Sequence, residues 1–371
     1  MTLTFTAEHR ALRSSVRSFL AAVSPEAELR RLADSPDGFD PDVWSQMSQM
    51  LGLPGLAVPE DLGGSGAGFV ELGIVLEEMG RALVPAPFFS TVVLAAQALI
   101  LSGDADAQRT HLPAIAAGRV RATLAVAEDA APWSADRVRT TARASGAGWA
   151  LDGVKDHVLD GATADLVLVL AWVDDELTLF AVDGSADGLT RTALDTLDRT
   201  RRQGRLEFTG TPASLVGTVG GGWRTVEQVL DRALAALAAE QVGGAQRVLE
   251  MAVDYARERV QFGRPIGSFQ AIKHRCADML IDVERAKVAA YQALWSVDSA
   301  PEELPVSARV AKAFCSDAYF DAAAANISVH GGIGFTWEHP AHLYYRRAKS
   351  SQLQFGSPSH HREELLRCLG L

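Results

Sequence analysis

The apolar residues of this chain change period twice, and that change limits the folds open to it. From Thr6 to about Arg119 they recur at helical spacing. Leu12, Val16, Phe19 and Leu20 form one stripe, and Ile74, Leu76, Met79 and Leu83 belong to another helix. The segment Val58-Pro59-Glu60-Asp61-Leu62-Gly63-Gly64, and then Pro85 and Pro87, interrupt that pattern. From about Arg121 to Gly217 the period falls to two. Residues 121–127 and 177–182 alternate, 165–170 reads as a buried strand, 205–208 as a short one, and Ser145-Gly146-Ala147-Gly148 as a hairpin turn. This predicts a small antiparallel β-domain of about seven or eight strands. Gly220-Gly221-Gly222 reads as a hinge, and from Trp223 the helical period returns and holds to the end, with Pro301 and Pro305 marking one connection. The expected architecture is α+β and multidomain: an N-terminal helical domain over 1–119, a middle antiparallel β-domain over 120–219, and a C-terminal helical domain over 220–371.

With 371 residues and 48% hydrophobic content, the chain can bury two or three real cores. The net charge of -11 argues against a generic nucleic-acid surface, and a polyanionic ligand would need a local basic patch. No apolar run approaches the roughly 18 residues of a membrane span. The N-terminus shows no basic segment followed by an apolar core, so a cytoplasmic protein is expected. Cys276, Cys315 and Cys368 are widely spaced within helical patterns, which fits reduced thiols rather than a disulfide framework. His330, His339 and His342 gather in sequence, but without HExxH or CxxC spacing no metal site is expected. The glycine run 63–68 lacks the Lys-Ser/Thr of a phosphate loop and follows no strand.

Four separated stretches carry more. Leu53-Pro54-Gly55-Leu56-Ala57-Val58-Pro59-Glu60-Asp61-Leu62-Gly63-Gly64 comes first. Arg259-Val260-Gln261-Phe262-Gly263-Arg264-Pro265-Ile266-Gly267-Ser268-Phe269-Gln270 follows a long Ala-rich helix, then His330-Gly331-Gly332-Ile333-Gly334-Phe335, then Arg346-Arg347-Ala348-Lys349. In this order, across essentially the whole chain, they resemble the acyl-CoA dehydrogenase family. The resemblance implies that family's fold, with a four-helix bundle at the C-terminus. It also implies FAD, an acyl-CoA substrate, α,β-dehydrogenation of the thioester and an electron-transfer flavoprotein as electron acceptor. In the family these motifs serve the FAD of a neighbouring subunit, so an oligomer is implied. Arg259 can meet the pyrophosphate with a forked, charge-assisted pair of hydrogen bonds. Phe262, three residues on, is expected to share the helix-end face and flank the cofactor. Gln270 can bond to nucleotide edges. Gly331, Gly332 and Gly334 can bring backbone N–H groups close to a phosphate. Ser328 joins these cofactor-binding positions where the family usually has Gln, and Asp231 keeps the family's substrate-contacting Asp.

The chain also departs from the family. Its members hold the flavin ring with a Thr-Glu-Pro-Gly-x-Gly-Ser-Asp loop and a Trp-Ile-Thr strand. Here residues 127–136 begin Ala127-Glu128-Asp129, and the strand reads His157-Val158-Leu159. The usual base, a Glu after the Arg-x-Ala-Lys element, is Phe355, and the alternative position on the preceding helix is Ala233, followed by Leu234. One carboxylate remains on that helix. Glu240, with Gly243 and Gly244 on its face, is the candidate base. Alternatively, the glycines let helices pack and Glu240 pairs with an Arg. Two assemblies follow: a homo-oligomer, dimeric or tetrameric, that dehydrogenates by itself, or a partner subunit without its own chemistry in a heteromer with a paralogue, as in family pairs acting on sterol side chains. An oxidase or monooxygenase on the same fold stays open, and no motif names the acyl group.

Overall fold

A computed structural model describes residues 5–130, 132–146 and 148–371. Met1–Thr4, Ala131 of the 127–136 segment and Ala147 of the expected hairpin turn lie outside the described residues. Along the chain the helices are α1 (Ala7–Val23), α2 (Glu26–Asp34), α3 (Pro41–Gln49), α4 (Phe69–Ala82), α5 (Ala96–Leu101) and α6 (Ala105–Ala116). The strands β1 (Ala122–Ala125), β2 (Thr141–Ser145), β3 (Gly148–Leu159), β4 (Leu166–Val173), β5 (Glu176–Asp183), β6 (Leu189–Ala193) and β7 (Gln203–Val216) follow. Then come α7 (Gly222–Glu258), the two-residue strands β8 (Val260–Gln261) and β9 (Arg264–Pro265), α8 (Gln270–Ser299), α9 (Leu304–His330), α10 (Ala341–Leu353) and α11 (Pro358–Cys368). No helix among the described residues is long and apolar enough to cross a membrane.

Local chemistry sets many of the ends. Thr6 and His9 form a reciprocal capping box at the start of α1. Asp40, Asp104 and Ser357 cap α3, α6 and α11 with side-chain oxygens, and Pro41 and Pro358 occupy first-turn positions where no N–H is needed. Gly331, at φ +65°, stops α9.

Contacts group the chain into two compact units that do not follow linear thirds. The bundle unit takes the residues up to Arg30, Phe69–Val84 and Leu234–Leu371, and the barrel unit takes Arg31–Gly68 and Pro85–Ala233. The expected N-terminal helical domain therefore contributes to both. In the bundle unit one core joins the end of α4 to α7, α8, α9 and α10 through Leu83, Val248, Ala252, Val283, Tyr319 and Tyr344. In the barrel unit the pairings run β4–β2–β3–β7–β5 and return to β4, with β1 beside β4 and β6 beside β7. The sheet is not wholly antiparallel as expected, because β1 runs parallel to β4, from Ala122 opposite Leu166 to Ala125 opposite Val169. Its inner faces pack Leu151, Val167, Val169, Phe180, Val182, Leu206 and Phe208. A buried π-helical stretch, Phe89–Ala95, is pinned to β1 where the Thr91 hydroxyl donates to the Ala122 carbonyl at 3.1 Å and accepts its N–H at 3.0 Å.

Candidate functional site

The end of α7 and the start of α8 carry the densest set of expected cofactor residues, all within the bundle unit. α7 stops at Glu258, and the chain folds into the β8–β9 hairpin. That hairpin is tied back by Arg259 N–H to the Tyr255 carbonyl and by Ile266 N–H to the Arg259 carbonyl, both at 2.8 Å. Phe262 does not share a helix-end face as the spacing suggested. It occupies the hairpin turn at φ +55° and is 91% exposed. The helical period fails here because the hairpin reverses the chain between Gln261 and Arg264. Phe269 sets its ring edge-on to Phe262 and lies under the Arg264 guanidinium at 4.2 Å. Gln270 opens α8 and is exposed, as is Arg259.

The second element closes α9. A side chain built at Gly331 or Gly332 would meet nothing within 4 Å, so their backbone is open to a ligand. Gly334 behaves differently: a Cβ there would stand 2.8 Å from the His330 Cβ and 2.9 Å from the Ile327 carbonyl oxygen, so it packs against its own helix end. Ser328 is exposed and its hydroxyl donates to the Ala324 carbonyl at 3.1 Å. His330 hydrogen-bonds to the Asn326 carbonyl at 2.9 Å, stacks on Tyr255 with centroids 4.3 Å apart, and burial lowers its pKa. Ile333, Phe335 and Trp337 remain exposed beside the glycines. No group of His, Cys, Asp or Glu among the described residues is arranged to hold a metal ion. An exposed guanidinium, open glycine backbone and exposed aromatic rings fit a dinucleotide's pyrophosphate and planar bases.

The flavin-ring positions lie in the barrel unit and fit less well. Ala127 and Leu159 offer no hydroxyl, and Leu159 is buried. Glu128 is consumed internally. It accepts from the buried Lys155 ammonium at 2.7 Å, from the Thr140 hydroxyl at 2.7 Å and N–H at 2.9 Å, and from the Arg139 N–H at 2.8 Å. Burial pushes the Lys155 pKa down to about 8 against the pull of Glu128. Burial also opposes the Glu128 charge, but Lys155 and these hydrogen bonds hold its pKa below the usual value. Sequence reasoning missed this pair, although β3 alternation gave a signal, since Lys155 keeps the parity of the buried Leu151. His157, where the family has Trp, adopts φ +53°.

Phe355, at the position of the family's usual Glu, and the candidate base Glu240 both lie in the bundle unit. Phe355 is buried and left-handed at φ +61°. Its turn is clamped from two sides. The buried Lys312 ammonium donates to the Ser351 carbonyl at 2.6 Å and the Gln352 carbonyl at 3.1 Å, completing the end of α10. His361 bonds the Phe355 carbonyl at 3.0 Å, and burial, with Lys312 nearby, pushes its pKa down to about 3. Glu240 is buried and accepts from Arg347 Nη1 at 2.7 Å. Its neighbouring glycines meet helices: a Cβ on Gly243 would stand 1.7 Å from the Glu77 carbonyl oxygen of α4, and one on Gly244 2.4 Å from the Tyr319 ring of α9. Of the two arrangements open to this segment, the structure shows close helix packing with an Arg–Glu pair. Asp231 is half-buried on α7 within the barrel unit.

The comparisons with known proteins agree with this architecture. The chain matches the acyl-CoA dehydrogenase N-terminal domain over residues 6–119 and the C-terminal domain over 220–369. It belongs to the acyl-CoA dehydrogenase family, whose members are flavoprotein oxidoreductases. It is similar to acyl-CoA dehydrogenase IpdE2 of Mycobacterium tuberculosis, with 35% identity covering 95% of this chain and 94% of that protein. Among solved structures it resembles a variant of the Tcur3481-Tcur3483 steroid ACAD, at 33% identity and TM-score 0.87 over 98% of both chains. It also resembles the ChsE4-ChsE5 complex of Mycobacterium tuberculosis, at 30% identity and TM-score 0.91 over 100% of this chain and 99% of that one.

Proposed function

We propose that this chain is one subunit of a heteromeric FAD-dependent acyl-CoA dehydrogenase, contributing the nucleotide half of a flavin site to a paralogous chain that supplies the base. The observation that carries this is the occupancy of the base positions. Phe355 and Ala233 cannot take a proton, and the Glu240 carboxylate is engaged by Arg347 within the bundle core. The contrast between an open nucleotide cradle and a ring half without hydroxyls supports the same division of labour. Two of the similar structures are, by their names, pairs of different chains.

In this reading Arg259 binds the pyrophosphate with its guanidinium fork, and the backbone of Gly331 and Gly332 approaches the same phosphates. Phe262 and Gln270 flank the nucleotide, with Ser328 beside them. The bound flavin would accept the β-hydride while the partner's carboxylate removes the α-proton, and electrons would pass on to an electron-transfer flavoprotein. Asp231 contacts the acyl-CoA substrate, whose acyl group stays unassigned.

The test is a visible spectrum of the chain purified alone and co-expressed with a paralogue bearing Glu at the position matching Phe355. A colourless chain that turns yellow only in the pair, and is then bleached by an acyl-CoA, is the expected result. A stoichiometric flavin on the chain alone, bleached by acyl-CoA, would instead establish a self-sufficient homo-oligomer with Glu240 as the next residue to test. Absence of flavin under both conditions would end the flavin reading itself.

A further inference from the structure

A cavity of about 440 Å³ lies within the bundle unit, walled by α1, the start of α2, α4, α7, α10 and the link from α1 to α2. Asp231, Arg259, Phe262, Gln270, Ser328 and the 331–334 glycines take no part in its lining. Its floor is apolar, since Leu20, Leu29 and Met251 line it and are otherwise buried. Its rim is cationic, with Arg17, Arg81 and Arg247 facing Glu26 and Glu78.

The rim groups are not equally committed. Glu78 takes a forked pair from Arg17, at 2.7 and 2.8 Å, and Glu26 takes Arg30 at 2.7 and 2.9 Å. Arg81 holds Glu250 with a similar fork, one arm at 2.8 Å. Arg247 reaches Glu250 only at 3.7 Å, beyond hydrogen-bond range, and its guanidinium also acts on the Tyr344 phenol, whose pKa it pulls down against burial. Ser24 is also among the lining residues, and its hydroxyl oxygen, just beneath the wall, is buried without a hydrogen-bond partner. A guanidinium and a hydroxyl with spare donors above an apolar floor call for an anionic acceptor on an apolar body.

We infer that this cavity is a binding site for a medium-chain carboxylate, with its carboxylate on Arg247 and Ser24 and its alkyl chain over Leu20, Leu29 and Met251. The volume lies at the lower end of the about 300–1,000 Å³ typical of small-molecule pockets, which suits roughly ten to fifteen heavy atoms. The inference does not rest on the proposed dehydrogenase role and is read without turnover.

Calorimetric titration of the whole chain with decanoate tests it, with 1-decanol and inorganic phosphate as probes lacking the charge or the chain. Decanoate should bind one per chain, at least tenfold more tightly than either control. Arg247→Met should weaken it at least tenfold, Ser24→Ala several-fold, and Met251→Trp, which fills the floor, should abolish it. Circular dichroism checks that each variant is folded, and if Met251→Trp is not, the Arg247 and Ser24 variants decide. No decanoate binding by the native chain, equal binding of decanol or phosphate, or unchanged affinity in the folded variants would overturn the assignment.

Discussion

At the scale of single residues, Glu240 and Arg347 form a buried ion pair whose side chains are only 6% and 4% exposed. Removing one partner leaves the other charge desolvated, which costs about 3–5 kcal/mol, whereas replacing both with apolar groups of similar volume is often neutral. Arg347→Met should therefore lower urea stability by about that amount, and Glu240→Leu/Arg347→Met should restore most of it; equal losses in the single and double variants would refute the pairing. His361 gives a pH signature. Its folded pKa, about 3, lies below the 6.5 of the free imidazole, so the unfolded chain binds the extra proton between those values. Stability from this group is then complete above pH 6.5 and falls as pH drops toward 3, at up to about 1.4 kcal/mol per pH unit. Denaturant melts from pH 7 to pH 4 should show that slope, and His361→Gln should flatten it. The sequence left open that Glu240 pairs with an Arg, but the Arg346-Arg347-Ala348-Lys349 motif did not mark Arg347 as that partner, and the burial of His361 depends on the turn at Phe355, whose left-handed backbone no local signal announces.

At the scale of elements, the crossing of α4 and α7 explains the glycines that accompany Glu240. The contact is reciprocal: a Cβ on Gly80 of α4 would stand 2.0 Å from the Glu240 carbonyl oxygen, and one on Gly243 of α7 1.7 Å from that of Glu77. Backbone, not a flexible side chain, fills both spaces, so the helices would have to separate. Alanine gains about 1 kcal/mol of helix propensity, but overpacking against backbone costs about 1–3 kcal/mol or more. Gly243→Ala should thus destabilise the chain by roughly 1–2 kcal/mol in a thermal melt; a stabilised variant would mean the crossing is looser than these distances. This element shows what sequence could reveal. Glycine beside a carboxylate in a long helix announced a close approach, and the helical and alternating periods placed α1, α4, α7, β4 and β5. Pattern could not reveal the parallel placement of β1 on β4, the register shifts in the β3–β7 pairing after Leu151 and after Lys155, or the hairpin that lifts Phe262 off the helix. Those depend on which distant backbone completes the hydrogen bonds, and a local period carries no record of that.

At the scale of the whole molecule, the positions that match the family's nucleotide-binding motifs and those that match its ring-holding segments differ in character. The bundle unit keeps an exposed Arg259, an exposed Phe262 and open backbone at Gly331 and Gly332, while the barrel unit presents Ala127 and a buried Leu159 and spends Glu128 on Lys155. A subunit that donates only the nucleotide cradle should respond unequally to substitutions in its two halves. Arg259→Met removes a charge-assisted fork worth about 1.5–3 kcal/mol, so the purified pair should lose at least tenfold in flavin affinity. Ala127→Val adds bulk at a half-buried position matching the family's ring loop, and if a partner chain holds the ring it should leave flavin content and spectrum unchanged. Flavin content measured by absorbance against protein concentration decides between the assemblies. If Ala127→Val strips flavin as effectively as Arg259→Met, this chain holds a complete flavin of its own and the division between subunits is wrong. If neither does, the guanidinium and the glycine backbone are not the cradle, whatever the family's members do with the same motif.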